Sequence, residues 1–122
     1  MLRRGRWDMD IDVQALAERY VAQGGNAAAV LGPLARPIGA RLNGRFQTQA
    51  IFALALTLAK REHAVFAGTD VDVGGRLIGL EAEPCTATLV ALVAHVLELC
   101  VTQFGESETR QVFEEAWAHL AN

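Results

Sequence analysis

The chain has 122 residues, which suits one domain and is too short for two ordinary ones. Its net charge of −3 argues against a general nucleic-acid coat protein, because such proteins normally carry a strong basic excess. Two cysteines, Cys85 and Cys100, are too few for a secreted disulfide scaffold, so we expect free thiols in a reducing compartment.

The distribution of apolar residues favours a cytoplasmic location over a secreted or membrane one. No apolar core follows the basic residues 1–6, as a secretory signal would require. The apolar run over residues 50–59 is too short to span a bilayer. The longer run over residues 86–104 carries His95 and Glu98 near its middle, where charged groups are costly in lipid. We therefore expect a cytoplasmic protein.

The first elements in chain order are a predicted basic arm over residues 1–9 and a single helical domain over residues 10–122. Asp10 or Asp12 is suited to cap the first helix, because its negative charge meets the positive helix end. Apolar residues then recur at helical spacing until Gly24, which predicts a one-sided amphipathic helix that ends there.

Two prolines interrupt the next apolar segment. Asn26 is placed to cap a short helix that runs to about Leu31. Pro33 and Pro37 predict its end, because proline removes a backbone donor and clashes with the preceding turn. We expect a turn or a second short piece through residues 38–42.

Residues 45–66 predict a long helix. Its centre is apolar on every face, whereas Lys60 and Arg61 near its end suit the negative end of a helix. Gly68 is the predicted stop.

The stretch over residues 69–83 differs from the helical segments. Asp and Val alternate in it, then Gly74 and Gly75 follow, and then leucine and isoleucine, a pattern typical of a short hairpin. A lone two-stranded hairpin is marginal in water, so it would lie on the helices or pair with a second copy.

The same stretch resembles the calcium loop of the EF-hand, over twelve residues only. Asp70, Asp72 and Glu81 fall at loop positions 1, 3 and 12, which carry oxygen ligands in that motif. Gly75 falls at position 6, where the motif turns sharply, but Gly74 at position 5 offers no side-chain oxygen. A calcium site is therefore an alternative to the hairpin.

Residues 84–104 contain the longest nearly unbroken apolar run and predict the central helix. Pro84 suits its first position, because the missing N–H costs nothing there, and Gly105 is the predicted end. Ser107 is placed to cap a last helix with one apolar face. A helix that is apolar on almost every side must be surrounded by other elements.

Candidate catalytic and metal-binding groups are sparse in the sequence. His95 with Glu98 has a helical spacing that suits metal ligation, and so does Glu115 with His119. A catalytic zinc site normally takes three protein ligands, so we do not favour a metal site. We interpret His95 as a core or subunit-boundary histidine and His119 as a solvated residue near a helix end. No nucleophile motif, phosphate loop or dinucleotide fingerprint occurs, and we expect no catalytic residue and no cofactor.

Together these segments predict an all-α or mostly α fold, a compact bundle of four to five helices with a short β-hairpin-like or irregular excursion at about residues 69–83. Two helices that are apolar on all sides have only short neighbours to cover them. We therefore expect a homodimer built around a two-fold axis. The predicted interface residues lie in the central helix and are Val90, Val93, Leu97 and Val101.

The function that these features favour is a non-enzymatic protein-interaction module: an adaptor, a regulator or a small subunit of a larger complex. Its predicted partners are a second copy and an unidentified protein, and the predicted partner-binding residues are Trp7, Arg36, Arg41 and Arg45. One alternative is binding of Ca²⁺ or a small ligand by Asp70, Asp72 and Glu81. Another is nucleic-acid or polyanion binding through the three arginines, and an enzyme with dispersed catalytic groups is a further one.

Overall fold

The computed structural model describes residues 12–42, 45–72, 74–80 and 82–121, and this part of the chain has a mostly α fold. It contains four α-helices, one short 3-10 helix and a two-stranded antiparallel sheet, which confirms the predicted fold class. The predicted arm over residues 1–9 lies outside the described residues. In chain order the elements are α1 (Val13–Gly24), α2 (Ala27–Arg41), α3 (Arg45–Lys60), the 3-10 helix (Ala64–Phe66), β1 (Asp70–Val71), β2 (Leu77–Ile78) and α4 (Thr86–Ala121).

Side-chain caps fix the starts of α1 and α2, as predicted. The Asp12 carboxylate accepts a hydrogen bond from the backbone N–H of Ala15 at 3.1 Å. The side-chain oxygen of Asn26 accepts one from the backbone N–H of Ala29 at 2.9 Å. Gly25 follows α1 with φ at 89°, a conformation that favours glycine and ends the helix.

The prolines of α2 do not break it, which corrects the prediction of a short helix that ends near Leu31. The helix continues to Arg41 with Pro33 and Pro37 inside. Each internal proline costs about 3 kcal/mol relative to alanine. Burial of each large apolar side chain returns ~1.5–3 kcal/mol, and α2 buries several of them. Their burial outweighs the two prolines, and they are Val30, Leu31, Leu34 and Ile38.

The third helix ends at Lys60, well before the predicted end at Phe66. The backbone N–H groups of Arg61 and Glu62 donate to carbonyls three residues back, which tightens the last turn. The chain then reverses into the 3-10 helix and places the Phe66 ring in the core at 0% exposure.

The central helix is α4, and it is kinked at Gly105. This glycine has φ 90° and ψ 169°, outside the helical range, and divides α4 into a first segment (residues 86–104) and a second segment (residues 106–121). The other three α-helices pack against α4. The predicted central helix that ends at Gly105 is therefore confirmed, except that it begins at Thr86 rather than at Pro84.

A short β-hairpin lies against α3, which confirms the hairpin alternative for this stretch. The two strands pair with Asp70 opposite Ile78 and Val71 opposite Leu77. Val71 is 2% exposed, and its carbonyl accepts a hydrogen bond from the Gln49 side chain on α3 at 2.9 Å. This attachment accounts for the presence of a hairpin that would be marginal by itself.

Candidate functional site

The outer face of α3 carries apolar side chains that the other elements in the described part of the chain leave wholly or partly uncovered. Phe46 is 78% exposed and Leu54 is 48% exposed. Ala50, also exposed, lies midway between them, and the half-buried Leu58 continues the row. Residues spaced four apart on a helix are neighbours on its surface, so these side chains form one continuous row. We name Phe46, Ala50, Leu54 and Leu58 the α3 ridge.

A groove of about 390 Å³ runs beside the α3 ridge, between α3 and the first segment of α4. We name it the α3–α4 groove. None of its lining side chains is ionisable, so it offers neither an acid–base group nor a charged ligand. Its shape and chemistry suit an apolar side chain from a partner helix. The lining residues are Gln47, Ala50, Ile51, Leu54, Leu99, Thr102 and Gln103.

The remaining faces of α3 are anchored, which leaves the ridge pointing outward. On one side, Gln49 holds the hairpin through its bond to the Val71 carbonyl. The inner face packs into the core at 3% exposure or less, through Phe52, Ala55, Leu56 and Ala59. Packing of α3 onto the rest of the chain therefore uses mainly its inner face and one flank, and it leaves Phe46, Ala50 and part of Leu54 exposed.

Sequence reasoning missed the ridge residues Phe46, Ala50 and Leu54. An amphipathic pattern marks the buried face of a helix only where the opposite face is polar. The centre of α3 is apolar on every face, so the pattern did not indicate which face stays uncovered. Phe46, Ala50 and Leu54 are spaced four residues apart in the sequence. This spacing places them on one face of the helix, but only the packing shows that this face is exposed.

Three of the four residues predicted for the dimer interface are buried within the chain. Val90 is 6% exposed, while Val93 and Leu97 are 0% exposed, and only Val101 is half-buried. The packing of the other helices on α4 covers them. Val90, Val93 and Leu97 therefore offer almost no surface to a second copy in this packing, whereas Val101 stays a prediction.

Arg41, at the end of α2, is already bound to carboxylates of α4. Its Nε donates to Glu108 at 2.8 Å and its Nη2 donates to Glu115 at 3.0 Å. The side chain is 16% exposed, so most of the guanidinium that a phosphate would contact is occupied. The other predicted partner-binding residues are Arg36, which is exposed on α2, and Trp7 and the Arg45 side chain, which lie outside the described part of the chain.

Asp72 closes the turn of the hairpin with its carboxylate. Its Oδ1 accepts hydrogen bonds from the backbone N–H groups of Gly74 and Arg76, both at 2.9 Å. These bonds, that of Arg76 foremost, hold the pKa of Asp72 below its ordinary value because they stabilise the charged form. The Asp70 carboxylate likewise accepts from the next backbone N–H at 2.9 Å. Glu81, the third residue of the predicted ion site, lies outside the described residues.

His95 lies between two carboxylates. Its Nδ1 is 3.6 Å from Glu98, one helical turn away, and its Nε2 is 3.6 Å from Glu62. The sequence indicated the first contact through its spacing, but only the fold brings Glu62 from the turn after α3. Among the described residues, no group of three or more His, Cys, Asp or Glu side chains is arranged to hold a metal ion. We interpret His95 as a link between α4 and the end of α3.

The two thiols have different surroundings. Cys100 is 0% exposed, and burial raises its pKa to about 12, so the thiol stays protonated. Cys85 is exposed at the start of α4, where the Thr88 hydroxyl lies 3.2 Å from its Sγ. That contact, together with backbone N–H groups of the first helical turn, lowers the pKa of Cys85. Neither thiol lines the α3–α4 groove.

No family model, no curated protein and no solved structure matches this chain. By length and composition, α4 over Thr86–Leu120 is the one helix in the described ranges that would be able to cross a membrane. Half of its most apolar stretch is buried inside the protein. The core helix of a soluble protein can have the same length and composition as a membrane-spanning helix.

Proposed function

We propose that the protein is a non-enzymatic protein-interaction module that binds through the α3 ridge and the α3–α4 groove. The observation that carries the proposal is the 78% exposure of Phe46 beside a groove without ionisable groups. Aromatic residues are enriched and charged residues depleted at the cores of protein interfaces. Such a surface serves an adaptor, a regulator or a small subunit of a cytoplasmic complex.

A helix laid across the ridge is the mode of binding that fits this surface. Helix-in-groove recognition uses apolar anchors spaced three or four residues apart, and the α3 ridge has that spacing. Full burial of a phenylalanine side chain contributes ~1.5–3 kcal/mol, which reaches the range of an interface hot spot. Phe46 is therefore the residue whose removal should weaken binding most.

The alternative functions have less support from the described residues. Polyanion binding would need Arg41, whose guanidinium is already bound to Glu108 and Glu115. Ion binding would need Asp72, whose carboxylate closes the hairpin turn. Catalysis at the α3–α4 groove would need convergent acid, base or nucleophilic groups, and the lining of this groove has none.

Affinity capture with matched baits tests the proposed function. The baits are the wild-type chain, the double variant Phe46→Ser/Leu54→Ser and the control Ile78→Ser. Ile78 is 50% exposed on β2 and does not line the groove, so its replacement removes a comparable exposed apolar side chain elsewhere. We expect a defined partner to be captured by wild type and control, and at least about tenfold less by the double variant. Equal capture by all three baits would remove the ridge as a binding surface.

A further inference from the structure

We infer that a pocket between α1 and the second segment of α4 binds a small aromatic carboxylate. The pocket has a volume of about 300 Å³ and shares no lining residue with the α3–α4 groove. We name it the α1–α4 pocket. It lies outside the surface of the proposed function, so each of the two proposals can fail without the other. The lining residues are Leu16, Arg19, Arg110, Phe113, Glu114 and Trp117.

Helical spacing brings the aromatic and basic side chains of this pocket together. Arg110, Phe113 and Trp117 are three and four residues apart, so they are neighbours on one face of α4. Leu16 and Arg19 are three residues apart and are neighbours on α1 in the same way. Because α1 packs against α4, the two arginines reach the same pocket from different helices.

Two aromatic rings supply a surface against which a planar ligand can pack. The ring centroids of Phe113 and Trp117 are 5.8 Å apart and the rings are inclined by 32°. Phe113 is 7% exposed, but Trp117 is only half-buried, so part of the indole borders the pocket. A ligand ring placed there gains ring–ring contact in addition to the burial of apolar surface.

The guanidinium of Arg19 already lies over the indole of Trp117. Its central carbon is 5.8 Å from the ring centroid, within the ~6 Å that is typical of a cation–π contact. A guanidinium is planar and carries its N–H donors around its edge, so contact with a ring through its face leaves donors free. Such donors bind a carboxylate in a charge-assisted and often bidentate manner.

The charges that line the pocket favour an anion. Two arginines and one glutamate, Glu114, give the lining a net charge of +1. Within the described ranges neither Arg19 nor Arg110 has an ion pair with an acidic side chain, whereas Arg41 is paired with two carboxylates. Two cations that face one pocket repel each other, and a carboxylate bound there is attracted by both.

The volume of the pocket restricts the ligand to one or two rings. Pockets for small molecules occupy ~300–1,000 Å³, and the α1–α4 pocket is at the lower end of this range. A bicyclic carboxylate has about 13 non-hydrogen atoms, for which an ordinary binding energy per atom gives a Kd of about 1 mM. We therefore expect weak but saturable binding of such a ligand.

Titration with naphthoate, followed by NMR, tests the class of ligand. The indole N–H signal of Trp117 is assigned as the one that remains in Trp7→Phe. We expect this signal to shift in a saturable manner as naphthoate is added up to about 10 mM. Naphthamide has the same rings without the charge, and acetate has the charge without the rings. Each of these two should bind at least about tenfold more weakly than naphthoate.

Three exposed positions test the contribution of charge. Arg110→Gln should weaken naphthoate binding about tenfold, because a charge-assisted hydrogen bond is lost. Glu114→Gln should strengthen it about threefold, because a like charge is removed from the lining. Arg61→Gln removes an exposed arginine outside the pocket and should leave the Kd unchanged. Circular dichroism checks that the variants are folded.

The inference is overturned if the Trp117 signal does not move with about 10 mM naphthoate, or if naphthamide binds as tightly as naphthoate. It is also overturned if Arg110→Gln and Glu114→Gln bind naphthoate with the same Kd. Should Arg110→Gln fail to fold, the comparison of Glu114→Gln with Arg61→Gln decides, because only the former should bind more tightly than wild type.

Discussion

The first segment of α4 and the helix α3 are both rich in apolar residues, but they occupy different places in the fold. The α4 segment is packed by the other helices, and Val93, Val96 and Leu97 are 0% exposed. In contrast, α3 packs on one side only and leaves Phe46 78% exposed. The neighbouring helices therefore cover the apolar surface of the α4 segment, whereas one apolar face of α3 stays open. The open face, rather than the overall hydrophobicity, is the reason we propose that a partner binds at α3.

The largest expected effect comes from the same substitution in the two helices. Leu97→Ala in α4 should reduce the free energy of unfolding by ~2–5 kcal/mol, because it leaves a cavity in the core. Leu54→Ala on the α3 ridge should change it by no more than ~0.5 kcal/mol, because this side chain lies at the surface. Urea unfolding of both variants measures the difference. Equal losses would contradict the division between a covered and an open helix.

A smaller effect is expected at the contact that helps α2 cover α4. Arg41→Met should reduce the free energy of unfolding by ~1–2 kcal/mol, because two charge-assisted hydrogen bonds to Glu108 and Glu115 are lost. The exposed Arg36→Met serves as the control and should change it by less than ~0.5 kcal/mol. Chemical denaturation at low and high salt separates the two. If Arg41→Met behaves like its control, the ion pairs contribute nothing to covering α4.

The smallest expected effect concerns the hairpin on the flank of α3. The folded state depresses the pKa of Asp72 below its ordinary 3.8, so its contribution to stability is present above pH 3.8 and declines as pH falls through the lower folded value. Asp72→Ala should therefore melt at a lower temperature than wild type near neutral pH, with a difference that shrinks in acid. Asp72→Asn keeps the acceptor oxygen but does not titrate.

Thermal melting of the three proteins from neutral to acidic pH measures this contribution. We expect wild type to lose its advantage over Asp72→Asn as the pH falls below 3.8. A constant difference between wild type and Asp72→Asn at every pH would show that the charge of Asp72 does not stabilise the turn.

Local signals in the sequence were sufficient for several elements of the fold. Asp12 and Asn26 cap helices because their short side chains reach the first free N–H groups, whatever the rest of the chain does. The turn between β1 and β2 follows from Gly74 and Gly75 between alternating residues. Gly105 interrupts α4 because glycine can adopt the positive φ that is found at the kink.

Features decided by tertiary packing were not predictable in this way. The helix α2 runs through Pro33 and Pro37 because it buries enough apolar surface to outweigh them, and burial is not visible in a single sequence. A separate 3-10 helix after α3 places Phe66 in the core, an arrangement that the pattern over residues 45–66 does not show. The candidate site was missed for the same reason, because the open face of α3 is defined by what α4 and the hairpin leave uncovered.

Affinity capture by the wild-type chain, by Phe46→Ser/Leu54→Ser and by the control Ile78→Ser tests most directly whether this open face binds a partner. We expect the double variant to capture at least about tenfold less of the partner than the wild type and the control do. Equal capture by all three would contradict the proposal that the open face of α3 is a binding surface.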